Sequence, residues 1–421
     1  MNPAQRVVLL LLIFSVIAAA ATGGLMYYRL AYLWAIVLIS SAVWSAFSLR
    51  GLVLLRSARS LRAQVGQVFE ERFEVRNQSR LPHLWLELRD ESKLLGSRGS
   101  QVLTLVDSHQ GRSYLARTRL RQRGAFALGP TVLASGDLFG LFPSSRSFPA
   151  RDTLIVYPKL VDIDSFPNPP GLLSGGDALR RRTPQVTPNA AGVREYVAGD
   201  PLSRIHWPTT ARRDRFMVKE FELDPLADVW LFLDSEQSVQ AALPAPEIRE
   251  SVHDFWLHAG DVPLFPSTEE YGISIAASLA RYYLRLGRAV GLVTVGQNTV
   301  LLPPDRGLRQ LGKILDALAV LRAEGKLPLQ GLLEAQSHHL MQGTTLVMIT
   351  PNADPMLALV ADNLIRQALR PVTILLDPAS FGKDQHSNEL AQRMKVLGIP
   401  LRCVKHGDDL AAALTVEPDF Y

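Results

Sequence analysis

Two consecutive stretches without a single charge open this chain. Val7 to Met26 and Leu30 to Leu49 contain no Asp, Glu, Lys or Arg, and only Tyr27, Tyr28 and Arg29 separate them. At ~1.5 Å of rise per residue, a helix over either run crosses a ~30 Å hydrocarbon core. The spacing predicts a transmembrane helical hairpin over residues 1–50, tethering everything C-terminal to a bilayer. Arg6 precedes the first run, Arg50, Arg56, Arg59 and Arg62 follow the second, and only Arg29 lies between. By the positive-inside rule this asymmetry describes a multi-pass cell-membrane protein with its C-terminal domains in the cytoplasm. A cleaved signal peptide is the alternative, since Arg6, an apolar core and Ala18 to Ala21 imitate its three zones. The second apolar run and the arginines behind it favour the hairpin. Tyr27, Tyr28, Tyr32, Trp34 and Trp44 include candidates for the headgroup level.

Apolar residues make up 47% of the 421 and charged residues 20%, a globular composition outside the anchor with room for two or three domains. The net charge of +5 is scattered and accompanied by no nucleic-acid reader motif, so nucleic acid is not an expected partner. Attraction to anionic lipid accounts for it. The single cysteine, Cys403, excludes an intramolecular disulfide.

From 62 to 160 the pattern turns to short alternating runs. Val68 to Val75, Leu84 to Leu88, Leu115 to Arg121, Thr131 to Leu133 and Leu154 to Tyr157 are punctuated by Asn77-Gln78-Ser79-Arg80 and Arg123-Gly124. This predicts an antiparallel β-sandwich. The Asp137-Leu138-Phe139-Gly140-Leu141-Phe142 segment is a candidate binding loop, although its aromatics are expected to plug one end of the sandwich. Residues 161–190 read as a linker, because Phe166-Pro167-Asn168-Pro169-Pro170-Gly171 continues neither helix nor central strand. Arg180-Arg181-Arg182 within it is a solvated loop or a contact for headgroups or an acidic partner.

Residues 191–421 combine a distinctive segment with a βα alternation. Arg194-x-Tyr196, Gly199-Asp200, Arg204-Ile205-x-Trp207 and Ala211-Arg212 follow one another. In this order they resemble the hallmark of the bacterial family called domain of unknown function 58. Arg123-Gly124, the 137–142 segment and Tyr157-Pro158 match the same family's pattern, as do the two leading spans. Arg194, Arg204 and Arg212 are fork donors for a carboxylate or phosphate, and Asp200 is a partner for them. Together with Tyr196 and Trp207 they form either an interdomain ion-pair network or a partner-binding surface. His206 is expected to be packed or hydrogen-bonded rather than catalytic.

Val229 to Leu233 is a continuous apolar run, as a buried parallel strand requires. Strands at Val290–Val295, Leu346–Ile349, Val372–Leu376 and Ile399–Val404 alternate with helices at Ile273–Leu286, Leu308–Leu321 and Met356–Ala368. The alternation predicts a doubly wound, Rossmann-like sheet with ligands at the strand carboxyl ends. There stands Asp234-Ser235-Glu236-Gln237-Ser238, which resembles the Asp-x-Ser-x-Ser metal motif of von Willebrand factor A-type domains with Glu236 in place of the first serine. Thr350 occupies the place of a carboxylate of that family, and Thr268 is the candidate for its remote threonine. Asp234, Glu236 and Ser238 would supply hard oxygens for Mg²⁺, or leave a metal-free surface.

The expected function is a membrane-anchored, non-enzymatic interaction module. The family resemblance implies a MoxR-type AAA+ ATPase as partner, in protein maturation or envelope-related assembly. The chain has no phosphate-cradling Gly-x-x-x-x-Gly-Lys-Ser/Thr loop. A metal-dependent hydrolase built on Asp234 and a purely structural envelope protein are the alternatives. No zincin, Cys-x-x-Cys or nucleophile-elbow motif supports the former.

Overall fold

The computed structural model describes residues 2–167, 190–197, 205–221, 228–244, 262–385 and 387–415. Two units divide the chain: Met1–Lys159 with Val252–Pro263, and Leu160–Ser251 with Leu264–Tyr421.

The first unit begins with two antiparallel helices, α1 (Pro3–Thr22) and α2 (Leu25–Phe47). Their 20 and 23 residues give lengths of about 30 and 34 Å at ~1.5 Å per residue. Gly23, with φ +64°, caps α1 in the left-handed region and donates its N–H to the Ala19 carbonyl, so the Gly23-Gly24 pair serves the turn. Both helices are inside out. The residues of α2 that are buried are Ser41 and Ser45, while Ile36, Ile39, Val43 and Trp44 are exposed. Such an apolar surface is satisfied in lipid rather than in water, and both helices are long and apolar enough to cross a membrane.

The sandwich starts ten residues earlier than its alternation suggested. Strand β1 (Leu52–Ala58) is joined by β2 (Arg62–Gln64), β3 (Val68–Asn77), β4 (His83–Asp90), β5 (Gln101–Val106) and β6 (Gly111–Arg119). Then come β7 (Gly124–Ala127), β8 (Thr131–Gly136), β9 (Pro143–Phe148) and β10 (Thr153–Tyr157). They form sheets of order β1-β3-β6, β5-β4-β8-β9 and β2-β10-β7. All pairs are antiparallel except β2 with β10, which run parallel, so the expectation of a wholly antiparallel sandwich is corrected at that edge. Alternate residues of β3 turn inward, and Phe73 and Val75 join Leu52, Leu86, Leu88 and Leu133 in one core. A second core gathers Phe69, Leu120, Leu154 and Val156.

Arg56, one of the basic flanks of the apolar runs, is a partly buried strand residue of this unit. Its guanidinium donates to Glu71 at 2.8 and 3.1 Å and to Asp90 at 2.9 and 3.2 Å, and lies 4.7 Å over the Phe73 ring. Burial holds the Glu71 carboxyl above its ordinary range even with Arg56 beside it. Burial acts on Asp90 in the same direction, but the Ser97 hydroxyl and Arg56 outweigh it and leave that carboxyl below its ordinary range.

The 137–142 segment joins β8 to β9, and here too the structure corrects the sequence. Leu141 is buried, but Leu138 and Phe139 stand out at 67% and 61% exposure. The cause is Asp137. Its buried carboxylate accepts N–H bonds from Phe139 at 3.0 Å and Phe142 at 2.6 Å, which curls the loop and turns its apex outward.

In the second unit, residues 161–167, the start of the expected linker, pack against the α/β unit. The Val161 N–H donates to the Ser278 hydroxyl, and Phe166 is buried edge-on to Tyr283. The remainder of the expected linker lies outside the described residues. The main sheet comprises β13 (Val229–Leu233), β14 (Val290–Val295), β15 (Thr299–Asp305), β16 (Thr345–Thr350), β17 (Arg370–Leu376) and β18 (Leu401–Val404), preceded in the chain by β11 (Ala190–Glu195) and β12 (Met217–Phe221). Its order is β15-β14-β13-β16-β17-β18, parallel but for β15. That antiparallel strand was not anticipated, since Thr299-Val300-Leu301-Leu302-Pro303-Pro304 carries prolines that suit only an edge. Helices cover both faces. On one, α4 (Thr268–Arg285) brings Gly272 to 3.2–3.8 Å from Leu233, Ile349 and Leu376, measured from where a Cβ would stand. On the other, Phe232, Met348 and Leu375 meet residues of the helices Leu329–Ser337, Met356–Arg366 and Asn388–Val396.

Candidate functional site

Two regions of the second unit hold the residues singled out in the sequence. The first is the signature segment. β11 and β12 pair antiparallel, and the short helix α3 (Trp207–Arg213) lies between them in the chain. The Tyr196 N–H donates to the Phe216 carbonyl at 2.8 Å, and the two rings meet edge-on at 6.2 Å. His206 starts α3: its backbone N–H donates to the Met217 carbonyl, and its Nδ1 accepts from the Thr209 N–H at 3.3 Å while lying 2.7 Å from the Thr209 hydroxyl. The ring serves as the helix cap, so His206 is hydrogen-bonded as expected. Asp214 ends the helix in the left-handed region, with φ +54°.

None of the residues of α3 is buried. Trp207 is 64% exposed, and Phe216 and Val197 are exposed on the flanking segments. Arg212 and Arg213 occupy the last turn, where cations are favoured at a helix C-terminus. Arg215 pairs with Glu195 at 2.9 Å in full solvent. The structure therefore brings Tyr196, Trp207 and Arg212 onto one hairpin–helix element. It places the backbone of Arg194 in β11; Asp200, Arg204 and the Arg180–Arg182 cluster lie outside the described residues. Sequence reasoning did not single out the exposed Phe216 and Val197, although Phe216 directly follows Arg212-Arg213-Asp214-Arg215.

The second region is the carboxyl edge of the main sheet. The strand order reverses direction between β13 and β16, and such a switch point opens a crevice in an α/β sheet. Asp234 and Thr350 follow and end these two strands. The Thr350 hydroxyl donates to Asp234 Oδ2 at 2.6 Å, and the Glu236 N–H donates to Oδ1 at 3.1 Å. Asp234 is 5% exposed, and burial pushes its carboxyl up to about 6, against which these two hydrogen bonds act. The Ser238 hydroxyl donates to the Glu236 carboxylate. The motif is thus drawn into two pairs, Asp234 with Thr350 and Glu236 with Ser238. Thr268, the candidate remote threonine, spends its hydroxyl elsewhere, donating to Gln240 Oε1 at 2.7 Å. Behind the edge, Gly325 exchanges backbone hydrogen bonds with Ser235 and Gln237, and the nearby Ala323 lines one side of the crevice. No group of three His, Cys, Asp or Glu side chains able to hold a metal occurs among the described residues.

Fold and surface together define a multidomain chain with two lipid-length helices, a β-sandwich and a mixed α/β unit that displays an aromatic and basic insert. Residues 192–252 match the family model described as "Protein of unknown function DUF58", and this match supports the resemblance drawn from the signature segment. The uncharacterized protein YeaD of Bacillus subtilis (strain 168) is 22% identical over 317 residues, covering 73% of this chain and 72% of that protein. Among solved structures, the cupredoxin domain of amoB from Nitrosocaldus yellowstonii aligns over 25% of this chain and 87% of its own, at 8% identity and a TM-score of 0.18. A GH20 exo-β-N-acetylglucosaminidase from Vibrio harveyi aligns over 82% and 60% at 7% identity, also with a TM-score of 0.18. Scores of this size describe no common architecture.

Proposed function

We propose that this chain is a membrane-anchored, non-enzymatic protein-interaction module. Its α/β unit is a von Willebrand factor A-type head, and its partner is a MoxR-type AAA+ ATPase acting in protein maturation or envelope-related assembly. The observation that carries the reading is the surface of the hairpin–helix element. An exposed tryptophan on the same element as the exposed Phe216 and Val197, with Arg212 and Arg213 in the last turn of its helix, has the composition of a binding hot spot. The strand order with one antiparallel edge and an aspartate at the switch point support the head assignment. The inside-out α1 and α2 support a bilayer anchor, and the arginine asymmetry supports a cytoplasmic head.

Mg²⁺ belongs to the same proposal. Asp234, Glu236 and Ser238 offer the hard oxygens it takes. Burial that disfavours the ionised Asp234 is what a bound cation relieves, so the donor set fits. The ion would compete with the Thr350 and Glu236 N–H bonds to that carboxylate.

Affinity capture from detergent-solubilised bacterial membranes tests the partner. Native full-length protein should retain an AAA+ ATPase that Trp207→Ala with Arg212→Glu loses; repeated capture without such an ATPase overturns the reading. Calorimetric titration with Mg²⁺ and Mn²⁺ tests the metal, with Asp234→Ala abolishing the heat. A reporter fused after Tyr421 and active only outside the cell membrane would reverse the topology.

A further inference from the structure

The loop at the β8–β9 hairpin remains without a role in the reading above. Its apex exposes two large apolar side chains, Leu138 and Phe139. It is not a slack loop. Asp137 is 2% exposed and holds its turn through two N–H bonds, with Gly140 in the left-handed region at φ +66°. A buried carboxylate is thus devoted to presenting a leucine and a phenylalanine outward.

The loop also sits at a defined level of the anchor. The Ser45 hydroxyl of α2 donates to the Phe142 carbonyl at 2.7 Å, and the Asn2 side-chain amide, just ahead of α1, donates to the Gly140 carbonyl at 3.1 Å. α2 packs on both β8 and β9. Pro3 and Ser45 lie at matching distances from the Gly23-Gly24 turn, since α1 runs twenty residues back from it. A span of about 30 Å counted from that turn ends at Asn2 and Ser45, with Arg6 and Arg29 each within about two turns of a span end, where a long cationic side chain snorkels to the headgroups. Placing the boundary earlier, at the Ser40-Ser41 pair, would leave Leu25 to Ile39, only about 22 Å and too short for the core. The loop therefore begins where the hydrocarbon ends.

The same end of the sandwich carries a second apolar apex. The β3–β4 connection exposes Leu81, which with Pro82 faces Val43, Trp44 and Phe47 of α2 across an open apolar crevice. Arg50, stacked 4.4 Å over Phe47, and Arg80 stand exposed beside these residues, as suits anionic headgroups.

We infer that the β8–β9 loop is a third membrane contact, inserting Leu138 and Phe139 into the headgroup–acyl boundary next to the span termini. Together with the Leu81 apex it seats one end of the sandwich in the bilayer surface. The inference rests on α1 and α2 crossing the membrane. The occupant is lipid because the loop is hydrogen-bonded to the ends of both apolar helices, and the arginines beside the neighbouring Leu81 apex complement phosphatidylglycerol.

The test uses the full-length chain carrying Cys403→Ser and one new cysteine, labelled with a nitroxide and reconstituted in phosphatidylcholine–phosphatidylglycerol vesicles. Leu138→Cys and Phe139→Cys are both exposed, so the label leaves the fold intact. Lys93→Cys, beyond the opposite end of β4, reports water, and Ile36→Cys, in the middle of α2, reports lipid. Collision with oxygen relative to a nickel chelate should be several-fold higher at 138 and 139 than at 93, approaching the value at 36. Labels at 138 and 139 that behave as the one at 93, while 36 is lipid-exposed, overturn the inference. Labels there shielded from both quenchers mean a protein partner at the apex and overturn it equally. If 36 itself reports water, it is the membrane reading that fails.

Discussion

Replacing Asp234 by asparagine should stabilise the α/β unit at neutral pH. Burial sets the Asp234 carboxyl at about 6, compared with an ordinary 3.8. A rise of about two units corresponds to ~3 kcal/mol at 1.36 kcal/mol per unit. Between roughly pH 4 and pH 6 the folded chain holds a proton that the unfolded chain has released, so stability falls as pH rises through that window. Below it both states are protonated; above it the whole cost is present. Asparagine keeps an oxygen for the Glu236 N–H, and the Thr350 hydroxyl, which already accepts from the Asn352 N–H, can turn to accept from the new amide. Losing the charge-assisted bond from Thr350 costs about 1 kcal/mol. The net expectation is a gain of about 2 kcal/mol at pH 8 that becomes a loss of about 1 kcal/mol near pH 4. Hydrogen exchange at the amides of β13 and β16, corrected for intrinsic rates and measured against pH in metal-free buffer, reads this unit alone. A variant no more stable than the native chain at pH 8, or a difference that does not change with pH, would refute the reasoning.

Other perturbations have equally definite outcomes. Arg56→Ala leaves Glu71 and Asp90 buried without their cation, and should cost about 3–5 kcal/mol in urea denaturation of the sandwich; a loss below 1 kcal/mol would mean the carboxylates find other partners. Gly325→Ala would set a methyl 1.9 Å from the Val295 carbonyl oxygen, so the edge around Ser235 must open. Faster exchange at the Gly325 and Gln237 amides should follow, and native protection in the variant counts against the close approach. His206→Ala removes the α3 cap and should cost about 1 kcal/mol, with His206→Asn largely restoring it, as read by exchange at Thr209.

Period and length carried the parts of the fold that the sequence made legible. Two long apolar helices stand where the charge-free runs lay, although the turn falls at Gly23-Gly24 and Tyr27-Tyr28-Arg29, expected between the runs, belong to α2. Strands buried on both faces, such as Val229–Leu233 and Val290–Val295, announced themselves by unbroken apolar residues. β9 did not, because Pro143-Ser144-Ser145-Arg146-Ser147-Phe148 is an edge strand whose polar side chains face water. β1 was hidden by its neighbour: Leu52-Val53-Leu54-Leu55 continues the greasy run of α2, and only Gly51, at φ +71°, marks the break. The signature residues were visible as types, but their exposure was not, since an Arg-Trp-rich segment serves equally as a brace or as a face. At 137–142 composition misled. The two apolar residues after the aspartate belong outside, and the decision lies in where the Asp137 carboxylate finds its N–H donors, which spacing alone does not express.

The serine face of α2 has a mechanical corollary. Ser41 and Ser45 are buried against the sandwich while the bulky residues stay exposed. Rotating the helix about its axis by half a turn would set hydroxyls in oil and wedge Val43 and Trp44 between strands. The anchor is therefore keyed to the body it carries, as a splined shaft is to its hub. With these helices in a bilayer, as proposed, a torque applied to the sandwich would be transmitted into it and would not dissipate in a swivel.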